Sequence, residues 1–218
     1  MIPYSTQDIS EADIKAVVKA LRSGWHTQGP AIERFEKALA KAAGTKYAVA
    51  LNSGTAALHA AYFAAGVIKN DEVVVPALTF VATGNAALYL GAKPVFADVD
   101  SKTGNMSVGD ACKKITKKTK ALVSVDYAGR PADLAAFKRL ARKYKLVFIA
   151  DAAQSFGATY RGKPAGSFAD MSIYSFHPVK SITTGEGGAV MTNNHEYARL
   201  VKLFRTHGIT KDSAYLKQ

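Results

Sequence analysis

"KYAVALNSGTAALHAAYFAAG", residues 46–66, decides the fold. Its first six residues, 46–51, read as a short buried strand. The turn "NSGT" follows. "TAALHAAYFAAG" (55–66) is then alanine-rich, the composition of a strong helix. The same alternation continues downstream. "DEVVVP" (71–76) precedes a helix over 79–90, and "PVFADVD" (94–100) precedes one near 107–115. "KALVSVDY" (120–127) precedes a helix over 131–144, and "KLVFIAD" (145–151) completes the series. Short apolar strands separated by helices predict a mainly parallel sheet covered on both faces, an α/β fold of three layers.

Outward from this core, Ser10 and Asp13 form a capping-box pattern, and Ile14, Val17, Val18 and Leu21 recur at helical spacing up to Gly24. A second helix starts after Pro30, burying Ile32, Phe35 and Leu39, and stops at Gly44. Beyond Asp151 the pattern changes to strand-like segments near 171–176 and 188–192, and a last helix runs from about Asn194 to Thr206.

The 218 residues suffice for one large or two small domains, and 48% hydrophobic with 21% charged residues is a globular composition with a sizeable core. Cys112 is the single cysteine, so no internal disulfide forms and a reducing cytoplasm is expected. "MIPYSTQDISEADIK" lacks a basic region followed by an apolar one, and no apolar stretch approaches the roughly 18 residues of a membrane span. A soluble protein without a membrane partner is expected. The formal charge of +12 fits either lysines that solvate the surface or attraction for an anion. Basic residues are spread along the chain, and their one cluster, "KKITKKTK" (113–120), has no aromatic companions. No nucleic-acid partner is expected.

In an open α/β sheet, ligands bind beyond the carboxyl ends of the strands. There the sequence places three groups. "NSGT" at a helix start is either an ordinary cap or a phosphate seat, where Gly54 admits close backbone approach and free amides face the anion. Asp151 ends an apolar strand and begins partly desolvated, so it caps the next turn or meets a cation. A protonated pyridine nitrogen suits it better than a metal, since no other ligand-type side chain stands at metal spacing. No metal is expected. Lys180 lies in "SIYSFHPVKSITTGEGGAVMTNN" (172–194), a glycine-rich loop between two strands. Alone it is a solvated amine. Crowded or desolvated, it becomes a nucleophile toward an aldehyde. Phosphate, pyridinium nitrogen and aldehyde are the handles of pyridoxal 5'-phosphate.

The blocks "GWHTQGPAIERFEKALA", "ALNSGTAALHAA", "VVVPALTFVATGNAALYLGAKPVFADVD", "IADAAQSFGATYRGKPAG" and "SFHPVKSITTGEGGAVMTNN" resemble, in order, those of the DegT/DnrJ/EryC1/StrS sugar-nucleotide aminotransferases. The resemblance covers essentially the whole chain. It implies the large domain of the aspartate-aminotransferase (type I) fold and pyridoxal 5'-phosphate as cofactor. "LVSVDYAG" (122–129), "HPVKSITTGEGGAV" (177–190) and "LFRTHG" (203–208) are most similar to the branch that aminates C4 of a UDP-4-keto-6-deoxy-N-acetylhexosamine in pseudaminic acid synthesis. Glutamate is the donor that the resemblance implies, and a homodimer with shared sites the assembly.

Residue by residue, it makes Lys180 the Schiff-base lysine and proton shuttle, and Asp151 the partner of the ring nitrogen. Gln154 would approach the phenolic oxygen, with Phe80 and Ala153 on the two ring faces. Gly54, Thr55 and Ser175 would hold the phosphate. Tyr4 and the "GWHT" segment, Trp25, His26 and Thr27, are the implied sugar-nucleotide contacts, His26 standing where the family commonly has an aliphatic residue. Ser181, Gly185 and Gly187 would leave room for Lys180 to swing. His177 either packs near the cofactor or closes the loop, and His59 is expected in the core or an interface. The lysine argues against the family's dehydratases, which carry histidine there. Family members continue into a smaller C-terminal domain that 218 residues do not contain. Two alternatives stay open: a pyridoxal-phosphate-binding domain without turnover, or action on another nucleotide-linked 4-keto or 3-keto sugar.

Overall fold

The computed structural model describes residues 5–210, so Tyr4 lies outside the described residues. Seven strands form one sheet: β1 (Tyr47–Leu51), β2 (Glu72–Pro76), β3 (Lys93–Ala97), β4 (Thr119–Val125), β5 (Val147–Asp151), β8 (Met171–Ser175) and β9 (Gly188–Thr192). Their spatial order is β1-β9-β8-β5-β4-β2-β3. From β8 to β3 every neighbouring pair is parallel, whereas β9 runs antiparallel to both β1 and β8. A two-residue hairpin, β6 (Thr159–Tyr160) with β7 (Lys163–Pro164), stands apart. Its strands are too short for alternation to reveal.

The helices are α1 (Glu11–Leu21), α2 (Pro30–Ala43), α3 (Gly54–Ala64), α4 (Ala82–Leu88), α5 (Val108–Lys114), α6 (Leu134–Tyr144) and α7 (His195–Arg205). One face of the sheet presents Val49, Val75, Val123, Ile149, Ile173 and Val190, on which α3, α4 and α7 pack through residues such as Ala57, Ala86 and Val201. Alternate residues of the same strands point the other way. Leu122, Phe148 and Ala150 meet Phe137 and Leu140 of α6 and Ala111 of α5. Ala48, Tyr174 and Met191 meet Leu39 and Ala43 of α2. This period-2 division gives the three layers and confirms the α/β expectation.

The elements follow their local chemistry. Pro30 opens α2 with a ring-fixed φ, and Gly44 closes it at φ 66°, where a Cβ is disfavoured. Leu39 is buried and Ile32 and Phe35 half-buried. One expectation needs correction: the predicted helix over 79–90 is shorter and runs from Ala82 to Leu88, while Thr79 and Phe80 before it line the rim and the Thr79 hydroxyl bonds that of Thr83 at 2.8 Å. The expected α1 forms with both halves of the capping box in place, and none of its residues is buried. Its apolar spacing encodes a helix without a described surface to cover it.

An ion pair fixes the end of β1. Glu36 Oε1 receives Arg205 at 2.5 Å and the amide of Ala50 at 2.9 Å, and Arg205 also donates to the Ala50 carbonyl at 3.0 Å. Helices from opposite faces thereby hold the strand that leads into "NSGT".

Candidate functional site

The C-terminal ends of β1, β5 and β8, with the loop from β8 to β9, enclose a cavity of about 640 Å³. Small-molecule sites range over about 300–1,000 Å³. Gly54, Thr55, Phe80, Asp151, Ala153, Gln154, Ser175 and Lys180 all line it. Residues up to 126 positions apart in the chain therefore share one wall because the strands deliver them to one rim.

At the start of α3, the Ser53 hydroxyl accepts the amide of Ala56 at 3.0 Å, and the Ser53 carbonyl accepts that of Ala57 at 3.0 Å. Gly54 and Thr55 keep their amides without an acceptor inside the helix, at the positive end of its dipole. The turn lies directly on the neighbouring strands. A Cβ on Gly54 would come within 2.8 Å of Ser175 Cβ, and one on Gly188 would run into the Ser53 carbonyl. These glycines let the amides and the Ser175 hydroxyl sit side by side, a donor set suited to a phosphate.

Asp151 is buried at the end of β5. Thr83 donates to its Oδ2 at 2.7 Å, and the Ala153 amide approaches Oδ1 at 3.3 Å. Because Thr83 spends its single proton on Asp151, the Thr79 hydroxyl donates to Thr83, and Tyr62 seals the Thr83 carbonyl at 2.8 Å. Burial pushes the Asp151 carboxyl up, while Thr83, Ala153 and the charge of Lys180 pull it down. No ion pair with a cation reaches it among the described residues. A buried carboxylate aimed into a cavity with two hydrogen-bond donors and no ion-paired cation fits a cationic ring nitrogen.

Lys180 projects from the loop joining β8 to β9. Its amide bonds the His177 carbonyl at 2.9 Å, Phe176 N pairs with the Gly187 carbonyl at 2.9 Å, and Thr184 N with the Phe176 carbonyl at 3.1 Å. The loop is thus tied at its base. The expected role of Gly187 changes accordingly: a Cβ there would collide with the Thr184 hydroxyl and press on Phe176 at 3.3 Å, so this glycine serves close packing. Gly185, at φ 78° with nothing within 4 Å of a Cβ, does leave open space. His177 lines the cavity, and its ring stands 4.0 Å from Glu186 within the same loop. His59 is half-buried between the rings of Tyr89 and Phe204.

Trp25, His26 and Thr27 are exposed and outside the cavity lining. His26 Nε2 meets the Leu21 carbonyl at 2.8 Å, and Trp25 packs against the backbone of Gly29. Sequence reasoning passed over Thr83, Asp126 and Glu186. Thr79 and Thr83 stand at i and i+4 beside Phe80, and Asp126 follows β4 as Asp151 ends β5. Both signals were present in the residue spacing.

A sequence profile of the DegT/DnrJ/EryC1/StrS aminotransferase family matches residues 7–218. The chain is 45% identical over 214 residues to the UDP-4-amino-4,6-dideoxy-N-acetyl-beta-L-altrosamine transaminase of Campylobacter jejuni, covering 97% of this chain and 56% of that protein. It is similar to an aminotransferase of pseudoaminic acid biosynthesis from Helicobacter pylori, with TM-score 0.91, 38% identity, 98% of this chain and 58% of that one. A Streptococcus pneumoniae protein described as a sugar aminotransferase and solved with PLP gives TM-score 0.91 and 35% identity, with 97% and 59% covered. The chain spans a little over half the length of these relatives.

Proposed function

The chain belongs to the DegT/DnrJ/EryC1/StrS aminotransferase family, whose aminotransferases use pyridoxal 5'-phosphate, and from that premise we propose that it transfers the amino group of glutamate to C4 of a UDP-4-keto-6-deoxy-N-acetylhexosamine. Glutamate leaves as 2-oxoglutarate and the sugar ketone becomes an amine. The observation that carries the reading is the meeting of Asp151, Lys180 and the free amides of α3 in one cavity. The 45% identity to the Campylobacter transaminase supports the sugar.

When bound, pyridoxal phosphate supplies an aldehyde for amines and a ring that takes up the electron pair of a broken C–H bond. The chain supplies the rest. Gly54 and Thr55 amides with the Ser175 hydroxyl would hold the phosphate. Asp151 would keep a proton on the ring nitrogen. Phe80 and Ala153 would flank the ring, and the Gln154 amide would donate to its phenolic oxygen. Lys180 would supply the amine that meets the aldehyde and would hold and return a proton on Nζ.

In this reading the 218 residues are the cofactor-binding domain, and a smaller domain in the whole protein completes the site. A second copy covers the exposed apolar residues Leu78, Phe80, Val81, Leu88 and Phe96 beside the cavity, giving a homodimer. The free thiol of Cys112 suits a cytoplasmic enzyme, whose product would serve cell-surface polysaccharide synthesis. The test is to incubate the full-length protein with pyridoxal phosphate, glutamate and the UDP-4-keto sugar. Equal amounts of 2-oxoglutarate and 4-amino sugar support the proposal. Turnover with a dTDP-linked or 3-keto sugar instead reassigns the substrate, and cofactor binding without either product refutes transamination.

A further inference from the structure

The two ends of the Gln154 amide have different surroundings. Its Oε1 accepts the backbone N–H of Ala128 at 2.8 Å. Only the oxygen can accept, so Nε2 is the end left to the cavity that Gln154 lines. Ala128 offers its N–H from a left-handed conformation, φ 52° and ψ 29°, which a residue with a Cβ disfavours. Something must hold it there.

Two side chains do. Asn105 takes the Tyr127 amide on Oδ1 at 2.9 Å and gives Nδ2 to the carbonyls of Arg130 at 3.1 Å and Pro131 at 3.3 Å. Asp126, only 1% exposed, accepts the Ala132 amide on Oδ1 at 3.0 Å and the Ser155 hydroxyl on Oδ2 at 2.6 Å. Its own amide bonds the Asp151 carbonyl at 3.0 Å. One carboxylate thus joins the loop that presents Ala128 to the turn that carries Ala153 and Gln154.

We propose that Asp126, acting through Ser155 and Ala132, is a positioning residue that fixes the Gln154 amide with Nε2 toward the ring of the cofactor. The proposal rests on the reading of the cavity as a pyridoxal phosphate site. A sealed carboxylate is costly: burial raises Asp126 to about 6, against the pull of Ser155 and Ala132. An apolar side chain would fill the space more cheaply, but it could not bridge a hydroxyl and an amide on two segments.

The test uses the full chain loaded with pyridoxal phosphate, as wild type, Gln154→Ala, Ser155→Ala, the double variant and Asp126→Asn. The readouts are cofactor Kd, the pH midpoint of the visible absorbance change, and Tm. Ser155→Ala should raise Kd about 3–10-fold and move the absorbance midpoint in the direction that Gln154→Ala moves it. The double variant should match Gln154→Ala alone. Asp126→Asn, which keeps an acceptor for Ala132 but puts an NH2 where the Ser155 hydroxyl donates, should shift Kd and midpoint in the same direction as Ser155→Ala. If Ser155→Ala does not fold, Asp126→Glu misplaces the same bridge and should show the same shifts. A fall in Tm with Kd and midpoint unchanged overturns the proposal, as does a Gln154→Ala chain indistinguishable from wild type. A wild-type chain without a visible cofactor band overturns the cavity reading, and this proposal with it.

Discussion

α1 and α3 are each eleven residues long, and a serine hydroxyl caps each by accepting the amide three residues on, Ser10 from Asp13 and Ser53 from Ala56. Their fates are opposite. α3 buries Ala57, Leu58, Ala60, Ala61, Tyr62 and Ala64 against the sheet, whereas α1 buries nothing. The same local code therefore yields one helix whose first amides are aimed at a cavity by the strand before it, and one that is only a helix. Capping and propensity decide that a helix forms. Delivery by β1 and close packing on Gly188 decide that its first turn faces a cavity.

The largest expected effect breaks the cavity side of this contrast: Lys180→Ala should lower the transamination rate at least about 10³-fold in steady-state assays, as removal of both nucleophile and proton carrier requires. A smaller effect concerns the deeper carboxylate. Asp126 titrates near 6 in the folded chain against 3.8 for a free side chain. Its folded value is raised, so its contribution is fully present below the unfolded pKa and is lost as pH rises up to and through 6, about 2 kcal/mol of it between pH 4.5 and pH 7. Urea unfolding at pH 4.5 and pH 7 measures this, and Asp126→Asn should flatten the difference.

Gly54→Val drives a side chain into Ser175 and should cost about 1–3 kcal/mol in chemical unfolding, with weaker cofactor binding. The serine pair sharpens the comparison. Ser53→Ala and Ser10→Ala should each cost about 1 kcal/mol of helix stability, but only Ser53→Ala should weaken pyridoxal phosphate in an absorbance titration. Smallest of all, Leu21→Ser on the exposed face of α1 should change stability by no more than about 0.5 kcal/mol. A larger loss in full-length protein would show that this face is covered there.

Much of this is legible in the sequence. The strand ends at Leu51, Asp151 and Phe176 place the rim, because parallel strands separated by helices leave their carboxyl ends on one side. What escaped lay in interactions that periodicity does not encode. The hairpin Thr159–Tyr160 with Lys163–Pro164 has two residues per strand, too few for alternation, and Tyr160 anchors it through Phe168 and Asp133. The Thr79 and Thr83 hydroxyls at the start of α4 bond each other, and Thr83 donates to Asp151, a pairing that apolar spacing does not record. Spacing gave α1 an apolar stripe, Ile14, Val17, Val18 and Leu21, but no spacing states what lies opposite. Trp25, His26 and Thr27 are implied by resemblance alone, and none of them is among the residues that line the cavity.

The central claim is that Lys180 carries pyridoxal 5'-phosphate above Asp151, and borohydride trapping tests it most directly. The chain is mixed with the cofactor, reduced, digested and its peptides weighed. The account predicts one pyridoxyl group, on the peptide containing Lys180, and its loss of yield when Asp151 is replaced by alanine. Labelling spread over surface lysines, or absent at Lys180, would contradict it.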